Sequence, residues 1–448
     1  MTYLINKLAE VTGCWLLVTG YWLLVTGYWV LVTGCWLLGA GYWVAGYWVL
    51  VANLNEFHGS LQEHTIFISL NKVKLIKMEN GSKPKRLYSL DALRGFDMFW
   101  IMGGESIFIG LASLTGWPVF QWCATQLEHV QWHGFHFYDM IFPLFLFIAG
   151  ISFPYSMAKR TANKESRKSI YKHVILRGLI LVFLGILYNN AVRFNLGELR
   201  YGSVLGRIGL AWMFAALIFM NTKLSWRIVW FWALLIGYWL LLLLFPAHDL
   251  GSSDPFSQTG NLTSYIDRLL MPGRLYLGNH DPEGLFSTIP AVSTALLGMF
   301  TGEFMMSNYL KDKQMQKVLC LVLAAIAFMI IGKIWNLAFP INKNLWTSSF
   351  VCWVGGLSLL LFAIFYLIID VWNLRKWAFF FVVIGMNPIT IYLAERIINF
   401  RNASNFFFGG LIEIFPEKWA PFLGGIGITA VGWVFLYILY KKKIFLKV

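Results

Sequence analysis

Apolar segments of about twenty residues recur along the chain from about residue 90 to the C-terminus, and short polar stretches separate them. An α-helix of about twenty apolar residues crosses the hydrocarbon core of a bilayer. The pattern therefore predicts an all-α protein, a polytopic transmembrane helical bundle of about ten spans. The predicted spans lie at about 93–114, 138–157, 172–192, 203–221, 226–247, 286–306, 316–338, 346–370, 377–397 and 421–440.

The composition and the charge distribution agree with a membrane protein. Hydrophobic residues make up 58% of the chain and charged residues only 13%, about half the charged fraction of a soluble domain. The net charge is +14, but the basic residues cluster in every second connection, as the positive-inside rule describes for cytoplasmic loops. The basic excess therefore orients the protein in a lipid bilayer, and no nucleic acid partner is expected.

The same alternation predicts the orientation of the bundle. Both termini are expected in the cytoplasm, in a multi-pass protein of the inner (plasma) membrane. The connections 115–137, 248–285 and 398–420 are then on the outer side. The connection 190–206 is also expected outside, although Arg193 and Arg200 run against the rule there.

Residues 11–52 repeat the peptide G-Y-W-L-L-V-T with small variations. The codons GGT TAC TGG TTA CTG GTT ACT encode this peptide and are also three copies of the seven-base unit GGTTACT. A seven-base tandem repeat read through all three phases gives a seven-residue repeat, so we interpret 1–77 as a non-native or dispensable leader. Synthesis would then begin at Met78, and 78–448 would form the transmembrane domain. The alternative is an N-terminal membrane anchor.

Histidines and carboxylates concentrate around the first two spans. The connection between these spans contains three histidines and no Lys or Arg. Ionisable groups at membrane depth are costly and usually mark a site or a pathway, and histidine transfers protons near neutral pH. The segment therefore predicts an aqueous pocket for acid–base chemistry. The histidines are His129, His133 and His136, and the carboxylates are Asp91, Asp97, Glu105 and Asp139.

Several of these groups also have an ordinary structural interpretation. Asp139, at the start of the second span, orients a histidine, binds sugar hydroxyls or caps the helix. Arg94 lies three residues from both Asp91 and Asp97, so an intrahelical ion pair is the alternative to a functional role. The second and third histidines of the connection are expected to be hydrated loop side chains. No matched carboxylate or cysteine accompanies the histidines, so no metal site is predicted.

Six short motifs occur in order from Arg86 to the C-terminus. The motifs are S-L-D-A-L-R-G at 89–95, H-V-Q-W-H-G at 129–134 followed by Asp139 and F-P at 142–143, V-L-G-R-I-G at 204–209, D-P-E-G at 281–284, N-K-N-L-W at 342–346 and G-M-N at 385–387. Together they resemble the heparan-α-glucosaminide N-acetyltransferase family and its bacterial relatives, which are multi-span, acetyl-CoA-dependent sugar acetyltransferases.

The resemblance implies a transmembrane acetyltransferase. Its donor would be cytoplasmic acetyl-CoA, and its acceptor an amino sugar of the glucosamine type, or a related glycan, on the outer side. The resemblance places the catalytic histidine at His129, as general base or as acetyl acceptor, with Asp139 as its supporter. The chain departs from the lysosomal enzymes in a longer segment between Gly95 and His129 and in Glu105, where they carry Asn. The acceptor therefore need not be the lysosomal one.

Further residues are expected to bind the two substrates. Amide, indole and carboxylate groups suit sugar hydroxyls, whereas Lys and Arg suit the phosphates of acetyl-CoA. The expected acceptor-binding residues are Glu105, Asp281, Glu283, Asn342, Asn344, Trp346 and Asn387. The expected donor-binding residues are Arg177, Arg207 and Lys343.

The alternative function is a permease for N-acetylglucosamine-type sugars, because some bacterial relatives have been regarded as transporters. Transporters often contain internal repeats and paired broken helices. Asn387-Pro388 predicts one break within the ninth span, but no repeat relates the two halves, which favours the enzyme. The sequence leaves open the acceptor, the choice between direct transfer and an acetyl-histidine, and whether the protein forms a homodimer.

Overall fold

The computed structural model describes residues 87–190, 198–252, 254–308, 310 and 313–446. The repeat and the interpreted leader 1–77 lie outside these residues. Within them the helices are α1 (Tyr88–Phe99), α2 (Glu105–Thr115), α3 (Pro118–Gln126), α4 (Ile141–Ala162), α5 (Arg167–Asn190), α6 (Val204–Asn221), α7 (Leu224–Leu244), α8 (Leu262–Leu270), α9 (Thr288–Met306), α10 (Gln314–Trp335), α11 (Ser348–Tyr366), α12 (Ala378–Gly385), α13 (Pro388–Ile397), α14 (Phe400–Glu413) and α15 (Ala420–Lys441). Single π-helical or 3₁₀ turns occupy Trp100–Gly104, Phe137–Met140, Leu367–Val371 and Glu417–Trp419.

These helices supply the predicted spans. In the described part of the chain, nine helical segments are long and apolar enough to cross a membrane, and the bent pair α12 and α13 raises the number to as many as ten. One of the nine consists of α1 and α2, which a π-helical turn joins. The described residues contain no strand, only an isolated bridge between Arg200 and Gly273. The prediction of an all-α bundle of about ten spans is confirmed.

The spans differ in how much of their surface is buried. Helices α4, α6, α9 and α11 are largely buried, whereas α5, α10 and α15 expose many Leu, Ile and Phe side chains. Apolar side chains on the outside of a spanning helix face hydrocarbon in a bilayer. The second group therefore belongs to the lipid-facing surface. The described residues other than Thr222–Trp230 form one compact unit.

Two spans are broken. Inside the π-helical turn Trp100–Gly104 of the first span, the φ angle of Gly103 is 112°, a conformation that favours glycine. The predicted break at Asn387-Pro388 is also present, because α12 and α13 are bent by 70°. Pro388 begins α13, where its missing N–H costs no helical hydrogen bond. Breaks of this kind allow short helix ends to line a cavity between spans.

Helix α1 packs closely against α12 through glycine. A Cβ atom on Gly95 of α1 or on Gly385 of α12 would overlap the backbone of the facing helix, and small residues commonly join membrane helices in this way. At this contact Arg94 pairs with Asp91 at 3.4 Å and donates to the Gly385 carbonyl at the same distance. The intrahelical ion pair of Arg94 is therefore with Asp91, and Asp97 takes no part in it.

Candidate active site

His129 and Asp139 are joined by a hydrogen bond. Nδ1 of His129 lies 2.7 Å from Oδ1 of Asp139, and the other carboxylate oxygen accepts from the backbone N–H of His136 at 3.0 Å. Asp139 is buried in the 3₁₀ turn that opens α4, whereas the His129 side chain is about half exposed. One carboxylate therefore fills two of the roles considered for Asp139, capping the turn and orienting the histidine.

This pairing determines which nitrogen of His129 is available for chemistry. An ionised carboxylate only accepts hydrogen bonds, so Nδ1 carries the hydrogen and the lone pair is on Nε2. The ring of Tyr138, the neighbour of Asp139 in sequence, lies 4.9 Å from the imidazole between ring centroids and restricts its rotation. A carboxylate that fixes the tautomer and the orientation of an imidazole is the arrangement of a histidine base.

Lys343 lies directly beside this pair. Its Nζ atom is 3.0 and 3.1 Å from the two ring nitrogens of His129 and 3.5 Å from Oδ1 of Asp139. Burial lowers the pKa of Lys343, and the Asp139 carboxylate opposes that shift. Lys343 comes from the turn between α10 and α11, which the Asn342 side chain fixes by accepting from the N–H of Leu345 at 2.9 Å. The structure thus brings Lys343, expected among the donor-binding residues, to the histidine.

A cavity of about 230 Å³ opens beside His129. At about 30 Å³ per water molecule, it has room for the reacting end of a substrate. Helices α1, α4, α6 and α13 supply a mainly apolar wall. The polar and charged side chains of the lining are Asp97, His129, Tyr138, Glu283, Lys343 and Tyr392.

A partly buried arginine holds Glu283 at the cavity. Arg200 donates to both oxygens of Asp281, at 2.8 and 2.7 Å, and also to Glu283. Burial alone would raise the pKa of Asp281, but the hydrogen bond and the charge of Arg200 bring it below its ordinary value. Asp281 therefore anchors the turn that presents Glu283 and does not itself line the cavity. The network also explains why a basic residue occurs at position 200.

Tyr138 contacts Glu105 as well as His129. The Glu105 carboxylate accepts a hydrogen bond from the Tyr138 hydroxyl, and its charge is close enough to interact with that of His129. Glu105 lines a separate recess of about 490 Å³, which is bounded by the turn Trp100–Gly104 and the end of α13 and also contains Glu395. Tyr138 therefore connects this recess to the cavity of the histidine.

Three other predicted residues contact protein groups. Trp346 is fully buried, and its ring packs at a steep angle against Phe142, 4.8 Å between centroids. Arg207 is also buried and donates to the Gly284 carbonyl at 3.3 Å. Asn342 is fully buried within its turn. Buried indole, guanidinium and amide groups need such partners, so these side chains support the site without lining its cavity.

Asn387 and Asn344 also lie outside the cavity lining. The Asn387 amide donates to the Ile444 carbonyl at 3.0 Å and accepts from the N–H of Leu446 at 3.3 Å. It therefore ties the C-terminal segment to the break between α12 and α13, while the next residue, Pro388, does line the cavity. Asn344 is half-buried in the turn that carries Lys343.

A polar recess of about 400 Å³ lies further along α1 and α4, and its lining includes Arg94, Ser152 and Lys159. Arg177 is near enough to Arg94 for the two positive charges to repel, and its guanidinium stacks on Trp212 at 4.4 Å from the ring centroid. Asp91 also lines this recess and pairs with Arg94, so the three cations and one carboxylate leave an excess of positive charge that favours the binding of anions.

Sequence reasoning missed three residues of the site, Tyr138, Arg200 and Tyr392. Tyr138 immediately precedes Asp139, and its position next to a predicted site residue could have identified it. Arg200 was visible as a basic residue in a connection where the charge rule expects none. Tyr392 lies one helical turn after Pro388, so the predicted break in the ninth span pointed to the helix face that carries it.

The neighbouring loop contains a buried histidine that predicts a pH-dependent stability. His280 is fully buried, and its Nδ1 atom lies 2.7 Å from Ser264 Oγ. Burial lowers the pKa of His280 to about 4. Because the unfolded chain binds this proton more readily, His280 contributes stability above about pH 6.5 that is lost as the pH falls toward 4, about 3 kcal/mol in all. His280→Gln should remove that loss.

The parent protein has to be compared with His280→Gln because a second buried group, Asp267, changes the stability with pH in the opposite direction. Burial raises the pKa of Asp267 to about 6, so its contribution is present at low pH and lost as the pH rises through 6. Melting temperatures of the two proteins in detergent should therefore converge from pH 7 to pH 4.5. His248→Gln, at an exposed position, is the control. A constant difference between parent and His280→Gln would contradict the assignment.

Known proteins match the chain along most of its length. The profile of a domain of unknown function, DUF5009, matches residues 86–200. The heparan-alpha-glucosaminide N-acetyltransferase of Homo sapiens is 27% identical over 428 residues, which cover 82% of this chain and 60% of the human protein. The protein of that name from Mus musculus is 26% identical over 434 residues, 82% of this chain and 61% of its own length. The chain thus spans about 60% of these curated relatives, and the family-level relationship expected from the motifs is confirmed.

Proposed function

We propose that the protein is a transmembrane acetyltransferase. It moves an acetyl group from cytoplasmic acetyl-CoA to an amino sugar of the glucosamine type, or a related glycan, on the outer side of the inner (plasma) membrane. The observation that carries the proposal is the pair His129–Asp139 with Lys343 at a cavity inside the bundle. The names of the two relatives, both N-acetyltransferases, support the same class of reaction.

These three side chains meet the two requirements of amine acetylation. Nε2 of His129 accepts a proton from the amine while the amine nitrogen bonds to the thioester carbonyl carbon. The ammonium group of Lys343 stabilises the negative charge that develops on the carbonyl oxygen. The C–S bond then breaks, the thiolate takes the proton from His129, and CoA leaves as the thiol. Asp139 orients the imidazole and stabilises its protonated form.

The same geometry is compatible with a two-step route. Nε2 would first attack the thioester and release CoA, leaving an acetyl-imidazole from which the amine then takes the acetyl group. The donor and the acceptor would use the cavity in turn, which suits a volume of about 230 Å³. In either route only an acetyl group has to pass between the two sides.

The donor is proposed to enter from the recess that contains Arg94 and Lys159. These cations and the neighbouring Arg177 suit its phosphates, and the positive-inside rule assigns the basic connections to the cytoplasm. Helix α1 and the turn after it line both the recess and the cavity, from Leu87 to Ile101, about 21 Å at 1.5 Å per residue. The recess and the cavity are thus arranged one after the other along the axis of α1.

The acceptor is proposed to approach from the opposite side, past Glu283 and Glu105. Both carboxylates are near His129: Glu283 on the cavity wall, and Glu105 hydrogen-bonded to Tyr138. An amino sugar in its ammonium form is attracted by carboxylates, and it must lose a proton before it attacks the thioester. The two carboxylates therefore suit the capture of the amine beside its base.

The second candidate function is a sugar permease. The observation that favours it is the 70° break between α12 and α13, because broken helices often line the substrate sites of transporters. Pro388 and Tyr392 of α13 do line the cavity. A permease would bind the sugar there and release it on the other side without forming a covalent bond.

One experiment separates the two candidates. The full chain, purified in detergent, is incubated with radiolabelled acetyl-CoA and glucosamine or short glucosamine-ended glycans, and the same protein in liposomes is tested for uptake of radiolabelled N-acetylglucosamine. We expect acetylated sugar to form, and no uptake above that of protein-free liposomes. Uptake by folded protein that acetylates none of these acceptors would overturn the enzyme in favour of the permease.

A further inference from the structure

Asp97 is a buried carboxylate with no hydrogen-bond partner for either oxygen among the described residues. Its side chain is fully buried in the first span and lines the cavity beside His129. Arg94, about one turn away, is already engaged by Asp91 and Ser152. An unsatisfied buried acidic group is costly, so its presence calls for a partner from outside the described residues.

The cavity wall restricts what that partner is. Apart from Asp97, the side chains that α1, the turn after it and α4 contribute to the lining are apolar, namely Met98, Ile101, Ile141, Phe142 and Phe145. A molecule that fits against this wall is mainly apolar and carries a hydrogen-bond donor at the level of Asp97. A bare sugar, with a hydroxyl group on most of its carbons, does not meet this description.

Asp97 also lies on the route proposed for the donor. Asp97 lies between Arg94 of α1, which lines the recess proposed for the phosphates, and Ile101 of the following turn, which lines the cavity. If the phosphates bind in the recess and the thioester lies at His129, the part that passes Asp97 is the pantetheine arm. This arm is a chain of methylene groups interrupted by amides, and each amide has one N–H donor.

We infer that Asp97 binds the donor by accepting a hydrogen bond from an amide N–H of its pantetheine arm. The inference rests on the proposed function, since it needs a coenzyme A thioester as donor. The bond gives the carboxylate its missing partner and fixes the depth to which the thioester enters the cavity. Asp97 is then a specificity residue that distinguishes pantetheine thioesters from thioesters without an amide.

The test compares two thiols as inhibitors of acetyl transfer from acetyl-CoA. Pantetheine has the amides, whereas an oligo(ethylene glycol) thiol of the same length has ether oxygens and no N–H donor. Replacement of Asp97 by Leu should raise the inhibition constant of pantetheine by about 3- to 10-fold, as expected for loss of one buried hydrogen bond, and leave that of the ether thiol unchanged. The KM of acetyl-CoA should rise together with the inhibition constant of pantetheine.

Two further variants make the result decisive. Asp97→Asn keeps a carbonyl acceptor and should retain part of the affinity for pantetheine. Met98→Leu changes the same wall without a polar group and should affect both thiols equally. Folding is not expected to suffer, because an unpaired buried carboxylate is replaced by a group that the core accepts. Equal changes for the two thiols in Asp97→Leu would overturn the inference alone, whereas a parent protein without transfer activity would overturn the proposed function and this inference with it.

Discussion

Replacement of His129 by alanine is expected to lower kcat for acetyl transfer by about 10²- to 10⁴-fold, the contribution of a positioned proton acceptor. The reason is that Asp139 holds Nδ1, which leaves Nε2 as the basic atom beside the cavity. Initial rates with radiolabelled acetyl-CoA and glucosamine give kcat and KM for the purified full chain. The melting temperature should change little, because the side chain is about half exposed.

His136 supplies the matched control for this prediction. It is in the same connection, it is half-buried, and its Nδ1 atom lies 3.0 Å from the carbonyl oxygen of Glu128. His136→Ala should leave kcat essentially unchanged. A similar loss of activity in both variants would mean that the connection as a whole, rather than the imidazole at position 129, supports the reaction.

The His129→Ala variant also separates the two routes of transfer. Without an acceptor, a protein that forms an acetyl-imidazole releases CoA in a burst equal to the number of sites, and the burst must vanish in His129→Ala. Direct transfer gives no burst in either protein. The amount of free thiol within the first turnover therefore decides between an acetyl-histidine and attack by the amine on the thioester.

The fold was predictable because the bilayer imposes it. A span of about twenty apolar residues satisfies its own backbone as a helix, so the ten predicted spans correspond to the nine helical segments and the bent pair of the described residues. The break at Asn387-Pro388 followed from the fixed φ angle and missing N–H of proline. The break at Gly103 was not predicted, because a glycine in a span is equally compatible with close helix packing. Only the contacts of the folded chain show whether a glycine forms a break or a packing contact.

The candidate site was predictable only in part. His129 and Asp139 are ten residues apart, and the motif pointed to both while it left the role of Asp139 open, so their hydrogen bond became visible only in the fold. Lys343 was assigned to the donor phosphates because sequence shows its charge but not its neighbours more than two hundred residues away. Trp346 was assigned to the acceptor because an indole near a predicted membrane surface suits a sugar, whereas the folded chain packs it into the core. The roles of these two residues depend on packing between distant parts of the chain, which a local sequence pattern does not contain.

Replacement of Lys343 by methionine is expected to lower kcat by about 10²- to 10³-fold, the effect of removing one group that stabilises an oxyanion. Methionine keeps most of the volume and removes the ammonium group that lies 3.0 and 3.1 Å from the His129 nitrogens. The KM of acetyl-CoA should stay near that of the parent, because this charge acts on the reacting carbonyl oxygen. A rise in KM without a loss of kcat would instead support the phosphate-binding role expected from the sequence.

The pH dependence gives this prediction a second, independent readout. Burial lowers the pKa of Lys343, so its positive charge, and the activity that depends on it, should be lost on the alkaline side at a lower pH than for an exposed lysine. Lys343→Met should lack that alkaline decline, and Lys343→Arg should shift it to higher pH. Lys333→Met is the matched control, since Lys333 is exposed and rests on the ring of Trp353 at 4.4 Å. An alkaline decline that persists unchanged in Lys343→Met would assign the titration to another group and leave Lys343 with a structural role.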